Sequence, residues 1–416
     1  MNPVVPLIMA VALFMENMDS TVISTALPAI AADLNVGPIT LKLALTTYMV
    51  ALAIFIPVSG WMADRFGAAR VFRSAILVFL LGSVACAVSG NLLEFVGARF
   101  LQGMGGAMMT PVGRLVILRT TDRSELVRAM ALLTIPALVG PMAGPPVGGF
   151  ITTYFSWHWI FLINVPIGIV GLIMSAIFLP TIKDEPVSNL DWMGFFLVAT
   201  AASGIVFGMS VISLPALPPA TGIITTLIGI AAALAYLWHA RRKANPLLNL
   251  KLFQTPTYRA AVGASAFFRM ATGAFPFLMP LMLQLGFGLN PFQSGMITFV
   301  GAVGALVMKF VAPRVFAAYG FRTVLMVAAL GASVLTMSFA FFEATTPYII
   351  IVTLLFATGL CRSFFFTGVN ALGYADIEPA QASQATASTS MFQQVSLALG
   401  VAFAATILEV TAWITG

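Results

Sequence analysis

Glu16 and Asp19 stand three residues apart within an apolar stretch near residues 5–30, so in a helix both carboxyls share one face. Paired carboxyls in a low-dielectric setting titrate as a coupled unit, which suits reversible proton exchange. Asp19 is the expected principal proton carrier, Glu16 its coupled neighbour, and Arg99, inside another apolar stretch, the cation that repels the proton as helices shift. A purely structural Asp19–Arg99 ion pair is the competing reading. Four further cations, Arg114, Arg269, Lys309 and Arg362, also lie inside apolar stretches. Arg269 and Arg362 fall near midspan with no acidic partner at their depth, and an unpaired cation in lipid is costly. A bound anion relieves that cost, because a guanidinium offers a bidentate fork to carboxylate or phosphate. Arg269, Arg362, Arg114, Lys309 and Gln102 are therefore the candidate substrate-binding residues, with Phe267, Phe268, Phe275 and Phe277 available for an apolar part of the pocket. Two alternatives stay open: Arg114 and Lys309 snorkel to the surface, and Arg269 and Arg362 bond only carbonyls or glutamine side chains. The two histidines, His158 and His239, and two cysteines, Cys86 and Cys361, supply neither a metal cage, a haem pair nor a disulfide framework. No metal or cofactor is expected.

These residues are positioned by an unusually apolar chain. Of 416 residues 60% are apolar and 8% charged, with a mean hydropathy of +1.01; a soluble protein carries about 25% charged residues. Apolar runs of roughly 20 residues recur, the length of a spanning helix, whereas the alternation of a membrane barrel does not. The fold class expected is an all-α polytopic membrane protein. Thirteen segments are expected to span, near 5–30, 43–63, 71–90, 93–117, 129–153, 157–180, 192–213, 219–238, 258–287, 292–312, 322–343, 347–373 and 388–413. The first lacks a basic leader and holds Glu16, Asn17 and Asp19, so it reads as a retained helix and not as a cleaved signal.

With the N-terminus in the cytoplasm, fourteen of the twenty Lys and Arg fall in cytoplasmic connections, and only Lys42 lies in an outer loop. Lys and Arg in short loops stay inside, which sets this orientation. The net charge of +6 is scattered over those loops, so no nucleic-acid surface is expected. Trp157 and Trp159 would form an outer interfacial belt, with His158 packed between them. The basic, proline-containing stretch 241–257 separates eight spans from five. The domain plan is a six-helix bundle over 1–183, two additional helices over 184–240, the linker 241–257 and a second bundle over 258–416. Between spans, GWMADRFGAAR in the first half is echoed by FVAPRVFAAYGFR in the second.

Gly60, Asp64, Arg65, Gly67 and Arg70 in the first of those loops form a candidate latch: glycine for tight turns, Asp64 for a neighbouring helix or Arg. Together with the two-half layout, they resemble the cytoplasmic signature of the major facilitator superfamily, GxLaDrxGrk, with Ala69 in place of one basic residue. RFLQGMGGAMM, holding Arg99, Gln102, Gly103, Gly105 and Gly106, is similar to that family's RxxqGxgaa motif. Gly140-Pro141 and Gly144-Pro145-Pro146-Val147-Gly148-Gly149 resemble the GPxxGG motif of its antiporters, in which proline and glycine give a kinked, closely packed helix. Asp19 to Pro28 resembles the lDxTivnvALP motif of drug:proton antiporters, and Trp157 to Gly168 the WxWiFliNvPiG signature of the 14-spanner subgroup, MdtD-type branch.

The resemblance implies two six-helix halves plus two extra central helices, opened by Asp191-Trp192. Since thirteen spans are counted, it also implies that the last helix is absent. It further implies a non-enzymatic, proton-coupled exporter of small amphipathic molecules in a bacterial inner membrane, acting as a monomer by alternating access, with Gly144, Pro145, Gly148 and Gly149 joining the loop residues in gating. The cavity cations favour anionic or zwitterionic substrates; a multidrug exporter of lipophilic cations and a proton-coupled organic-anion importer are the alternatives. A channel would need a repeated filter or pore ring, which the sequence lacks.

Overall fold

The computed structural model describes residues 4–121, 125–179, 189–212, 218–378 and 381–415. Among them the regular elements are helical: α1 (Val4–Asp33), α2 (Lys42–Phe66), α3 (Ala68–Val88), α4 (Leu92–Thr120), α5 (Leu126–Tyr154), α6 (Trp159–Leu162), α7 (Asn164–Phe178), α8 (Trp192–Val211), α9 (Pro219–Arg242), α10 (Pro256–Thr272), α11 (Phe275–Leu281), α12 (Pro291–Ser338), α13 (Tyr348–Tyr374) and α14 (Ala382–Thr415). Ten helical stretches are long and apolar enough to cross a membrane. In lipid every backbone group must be satisfied within the protein, which helices do. The chain is an all-α polytopic membrane protein.

Among the described residues, each of the thirteen expected segments lies largely on helix, and two of them share α12, which changes direction at Gly320 (φ 72°, ψ 161°). Gly67 does the same between α2 and α3 (φ 86°, ψ 126°). Glycine enters this positive-φ region without the Cβ clash of other residues, so each hairpin turns on the glycine its loop repeats. The spacing from Tyr48 to Gly67 equals that from Gly301 to Gly320, nineteen residues. Packing repeats as well. A Cβ on Gly103 would meet the Tyr48 carbonyl oxygen at 2.7 Å, and one on Gly359 would overlap the Gly301 carbonyl. Thus α2 corresponds to the first limb of α12, α3 to its second limb and α4 to α13. The halves meet through α5 against α12 and α14 against α2, with α1 against α11 between them.

Local signals set the helix ends. The Asn91 side chain caps α4 by accepting from the Glu94 amide at 3.0 Å, and Arg119 lies in its last turn. Asn290 and Gln293 form a capping box at the start of α12, and α9 runs from Pro219 to a last turn with His239, Arg241 and Arg242. These charges and caps satisfy end groups and offset the helix dipoles. Helices α8 and α9 touch backbone to backbone, since a Cβ on Gly204 would lie 2.7 Å from Gly229 Cα. Helix α8 rests on both α2 and α14, while α9 turns Ile223, Ile224, Leu227 and Ile228 outward, toward lipid.

Two expectations are corrected. Lys42 is no loop residue: it opens α2, fully buried, and its Nζ pairs with Glu409 of α14 at 2.8 Å. Trp157 does not face outward as a belt residue would: it is packed within the protein, 5% exposed, edge-on to Phe95 and Phe161, with its Nε1 donating to Asp33 at 3.1 Å. Trp159 does face outward, and His158 stacks on Trp157 at 3.8 Å.

Candidate functional site

In the N-terminal half, apolar helices bring five polar side chains to one buried point. Asp19 of α1 accepts from Arg99 Nη1 at 2.8 Å through one carboxylate oxygen, and from Gln102 Nε2 at 2.8 Å and Asn164 Nδ2 at 2.7 Å through the other. Arg99 also donates to Gln102 Oε1, and Gln102 Nε2 reaches Ser83 Oγ of α3 at 2.8 Å. Close approach of α3 and α4 permits this, because a Cβ on Gly82 would lie 2.5 Å from the Gln102 nitrogen. Asp19, Ser83, Arg99, Gln102 and Asn164 are all fully buried. Three N–H donors and one guanidinium charge are what an ionised carboxylate needs in a dry interior. Glu16, almost one turn earlier on α1, accepts from Thr110 Oγ1 at 2.9 Å and from its neighbour Asn17 at 3.4 Å. Asp19 and Arg114 are the charges that act on it.

Between the halves lies a cavity of about 420 Å³. Helices α1 and α5 supply Thr21, Ser24, Pro141, Met142 and Pro145; the rest of the wall comes from α11, α12 and α13 and includes Phe275, Lys309, Arg362 and Phe366. No carboxylate is among the lining residues described. The Arg362 guanidinium lies 5.3 Å from the Phe275 ring centre, and Arg269, behind the wall, 4.4 Å from that of Phe366. Lys309 Nζ donates to Thr367 at 2.8 Å.

The cavity is sealed at the end away from the basic loops. There Gly149 packs on Pro291 and Gly295 on Pro145, with no room for a Cβ at either. Gln284 donates to the Thr25 carbonyl at 2.9 Å, the Phe292 amide to Thr153 at 3.0 Å, and Lys42 pairs with Glu409 at 2.8 Å. Toward the basic end Lys309 is exposed.

Comparison with known proteins fits this two-half geometry. The Major Facilitator Superfamily profile matches residues 9–401. The chain belongs to the major facilitator superfamily. Within the superfamily, it is 37% identical over 402 residues to a Serratia proteamaculans protein provisionally named multidrug resistance protein MdtD, covering 96% of this chain and 84% of that one. Its identity to the Escherichia coli K12 protein of the same name is 36%, over 96% and 85% of the two chains. Among solved structures, a POT family peptide transporter in an autoinhibited state superposes with a TM-score of 0.67 at 13% identity, covering 99% and 91% of the chains. A D-xylose–proton symporter gives 0.66 at 14%, covering 98% and 89%. At such identities the structures speak for the superfamily fold alone.

Against the motifs of the superfamily, the expected site residues separate into groups. Asp19 and Arg99 are paired and Gln102 joins them outside the cavity wall, while Glu16 bonds Thr110 in a separate group. Arg362 and Lys309 line the cavity, Arg269 backs it, and Arg114 lies exposed on α4. Of the phenylalanines, Phe275 lines the cavity, Phe268 stacks on Phe365, Phe277 is core and Phe267 is 73% exposed. Asp64 pairs with Arg119 of α4 at 2.7 Å, Gly67 makes the turn, and Arg65 and Arg70 are exposed. Gly60 permits no close approach, since a Cβ there would meet nothing within 4 Å. Gly144 and Gly148 seat α5 on Thr21 and Val22 of α1, Pro145 lines the cavity, and Gly149 meets α12.

Ser83, Asn164, Tyr48 and Thr110 complete the polar groups and were not singled out from sequence. Asn164 alone had a readable signal, a carboxamide inside the apolar run WIFLINVPIG.

Proposed function

We propose that this transporter exports small amphipathic anions or zwitterions in exchange for protons, by alternating access and as a monomer in a bacterial inner membrane with its basic end in the cytoplasm. The observation that carries this reading is the charge of the cavity: Arg362 and Lys309 in the wall, Arg269 behind it, and no carboxylate among the lining residues described. Apolar faces of Phe275, Phe366, Met142 and Met279 suit the body of such a substrate, and a guanidinium suits its acidic group. With the basic end in the cytoplasm, the conformer is inward-facing, and the Lys42–Glu409 seal belongs to the closed outer end.

Proton coupling is assigned to Asp19 with Glu16 and Arg99. A proton on Asp19 removes the negative charge that Arg99 pairs with and weakens the carboxyl as an acceptor, so protonation loosens the links from α1 to α4 and α7. Such contacts, stronger in one protonation state, bias a two-state equilibrium. Asp64, with Arg65 and Arg70, serves the cytoplasmic gate, and the hinge lies where α5 crosses α1 and α12.

The test is flux through the complete protein in proteoliposomes, with and without an imposed pH gradient, against a panel of amphipathic anions, zwitterions and cations. Gradient-driven export of anions or zwitterions is expected. Transport of lipophilic cations alone would assign the multidrug-cation activity instead, and accumulation along the proton gradient would assign an importer.

A further inference from the structure

Tyr48 is a buried titratable side chain with no part yet in the mechanism. It is 2% exposed, its hydroxyl has no hydrogen-bond partner, and its ring lies 4.2 Å from the Arg99 guanidinium. A buried hydroxyl left unpaired is unfavourable relative to phenylalanine in the same place, so the oxygen is suited to a bond formed in another state. Its neighbour in that state is on the page. A Cβ on Gly106 would lie 3.2 Å from Tyr48 Oη and 3.4 Å from Glu16 Cγ, so the hydroxyl and the Glu16 side chain flank the same small gap. Glu16 faces Thr110 instead, at 2.9 Å. Tyr48 thus stands between two clusters, Glu16–Thr110 and Asp19–Arg99–Gln102, that no hydrogen bond joins among the described residues.

We propose that the Tyr48 hydroxyl links these clusters: when protonation releases the Glu16 carboxyl from Thr110, Tyr48 donates to its carbonyl oxygen, and the accompanying tilt draws the ring off Arg99 and loosens the Arg99–Asp19–Gln102 triangle. The phenol keeps its proton throughout, so Tyr48 is a positioning residue. The charged and titratable groups facing it and its partners are Glu16 and Asp19 on α1, Arg99 and Arg114 on α4 and Cys86 on α3. The inference rests on the proton-exchanging role proposed for Glu16, but its test needs no transported substrate and so can fail separately from the export reading.

Cys86 supplies the reporter, because its Sγ lies 3.8 Å from Gln102 Oε1 and the chain's other cysteine, Cys361, can be replaced by Ser. Infrared spectra of the full chain in lipid nanodiscs, taken across a pH series, read the Cys86 S–H stretch together with the Glu16 carboxyl band, identified by its loss in Glu16→Gln. In the Cys361→Ser parent, the S–H band is expected to shift over the same interval in which the Glu16 band appears. Tyr48→Phe keeps the ring and loses the O–H; it should leave the Glu16 band titrating and abolish most of the S–H shift. Tyr48→Leu, lacking the ring, should displace the S–H band at every pH. A parental S–H shift in Tyr48→Phe overturns the link. So does a parent whose S–H band ignores Glu16, or a Glu16 band that never titrates.

Discussion

Where α4 crosses α2 in the N-terminal half, Gly103 lies against Tyr48, and three residues on stands Gly106; where α13 crosses α12 in the C-terminal half, Gly359 lies against Gly301, and three residues on stands Arg362. One backbone plan therefore carries opposite fillings. In the first half a tyrosine ring occupies the space, and a carboxylate, a guanidinium and two carboxamides bond one another out of contact with the cavity, with Arg99 Nε and Asn164 Oδ1 left without partners. In the second, Gly301 vacates the space and leaves a wall with Arg362 and Lys309 unmatched by any carboxylate there. On the function proposed above, the difference becomes a division of labour: a paired charge set changes with a proton, and an unpaired one takes a ligand.

The sharpest way to break that comparison is to remove cations from each half. Arg99→Met leaves Asp19 buried without its counter-charge, which typically costs about 3–5 kcal/mol. The purified protein should then unfold at a clearly lower temperature. Arg269→Gln and Arg362→Gln each remove a cation with no carboxylate partner, so both should unfold no lower than the parent. Equal losses in the two halves would erase the distinction.

Backbone correspondence is tested next. Gly103→Ala and Gly359→Ala insert a methyl against a backbone carbonyl in equivalent places, and overpacking of this kind costs about 1–3 kcal/mol. Both should lower the unfolding temperature, whereas Gly60→Ala, with open space around it, should leave it unchanged or slightly raised.

A third region, the α8–α9 hairpin that touches both halves, is held at its basic end by Asp191. Burial raises the proton affinity of this carboxyl, but bonds from His239 at 2.8 Å and from the Gly194 and Leu247 amides outweigh it and hold the carboxyl below the usual carboxylate range. Its contribution, about 0.5–2 kcal/mol as a helix cap, is thus complete above the ordinary value near 3.9 and is lost as pH falls through the lower folded value. Protection of the Gly194 and Leu247 amides from hydrogen exchange, taken relative to the intrinsic rate at each pH, should hold from neutral pH to about 4 and fall below it. In Asp191→Asn that acid step should vanish.

The smallest stability effect is expected at the loops. The Asp64–Arg119 pair is partly exposed, and such pairs contribute about 0.2–1 kcal/mol, while the matching position in the other half is Ala317. Asp64→Asn should slow flux in proteoliposomes while leaving substrate binding and unfolding temperature nearly intact. Turnover equal to the parent would remove Asp64 from gating.

Much of this division was legible in the sequence. Apolar run length gave the spans, the Asp19 and Arg99 interruptions marked a buried pair, and the repeated glycine of the loops marked both hairpin turns. Side-chain direction was harder to read, because in a helix apolar on all sides hydropathy does not say which face meets protein and which meets lipid. Gln102 was accordingly grouped with the cavity residues although its bonds run to Asp19, Arg99 and Ser83, and Ser83 carries no signal that separates it from its apolar run. Lys42 looked like a loop residue because its partner, Glu409, is 367 positions away. The side of the bundle on which the cavity opens depends on the exchange of Tyr48 for Gly301, visible only once the halves are superposed.

The central claim is that the C-terminal cations bind the substrate anion while the N-terminal network handles the proton. It is tested most directly by measuring anion and cation efflux separately, under one imposed pH gradient, in proteoliposomes holding the parent, Arg269→Gln or Arg362→Gln. Anion efflux should fall about tenfold or more in Arg362→Gln, as loss of a charge-assisted hydrogen bond predicts, and less in Arg269→Gln, with cation efflux unaffected. Undiminished anion efflux in both variants would contradict it.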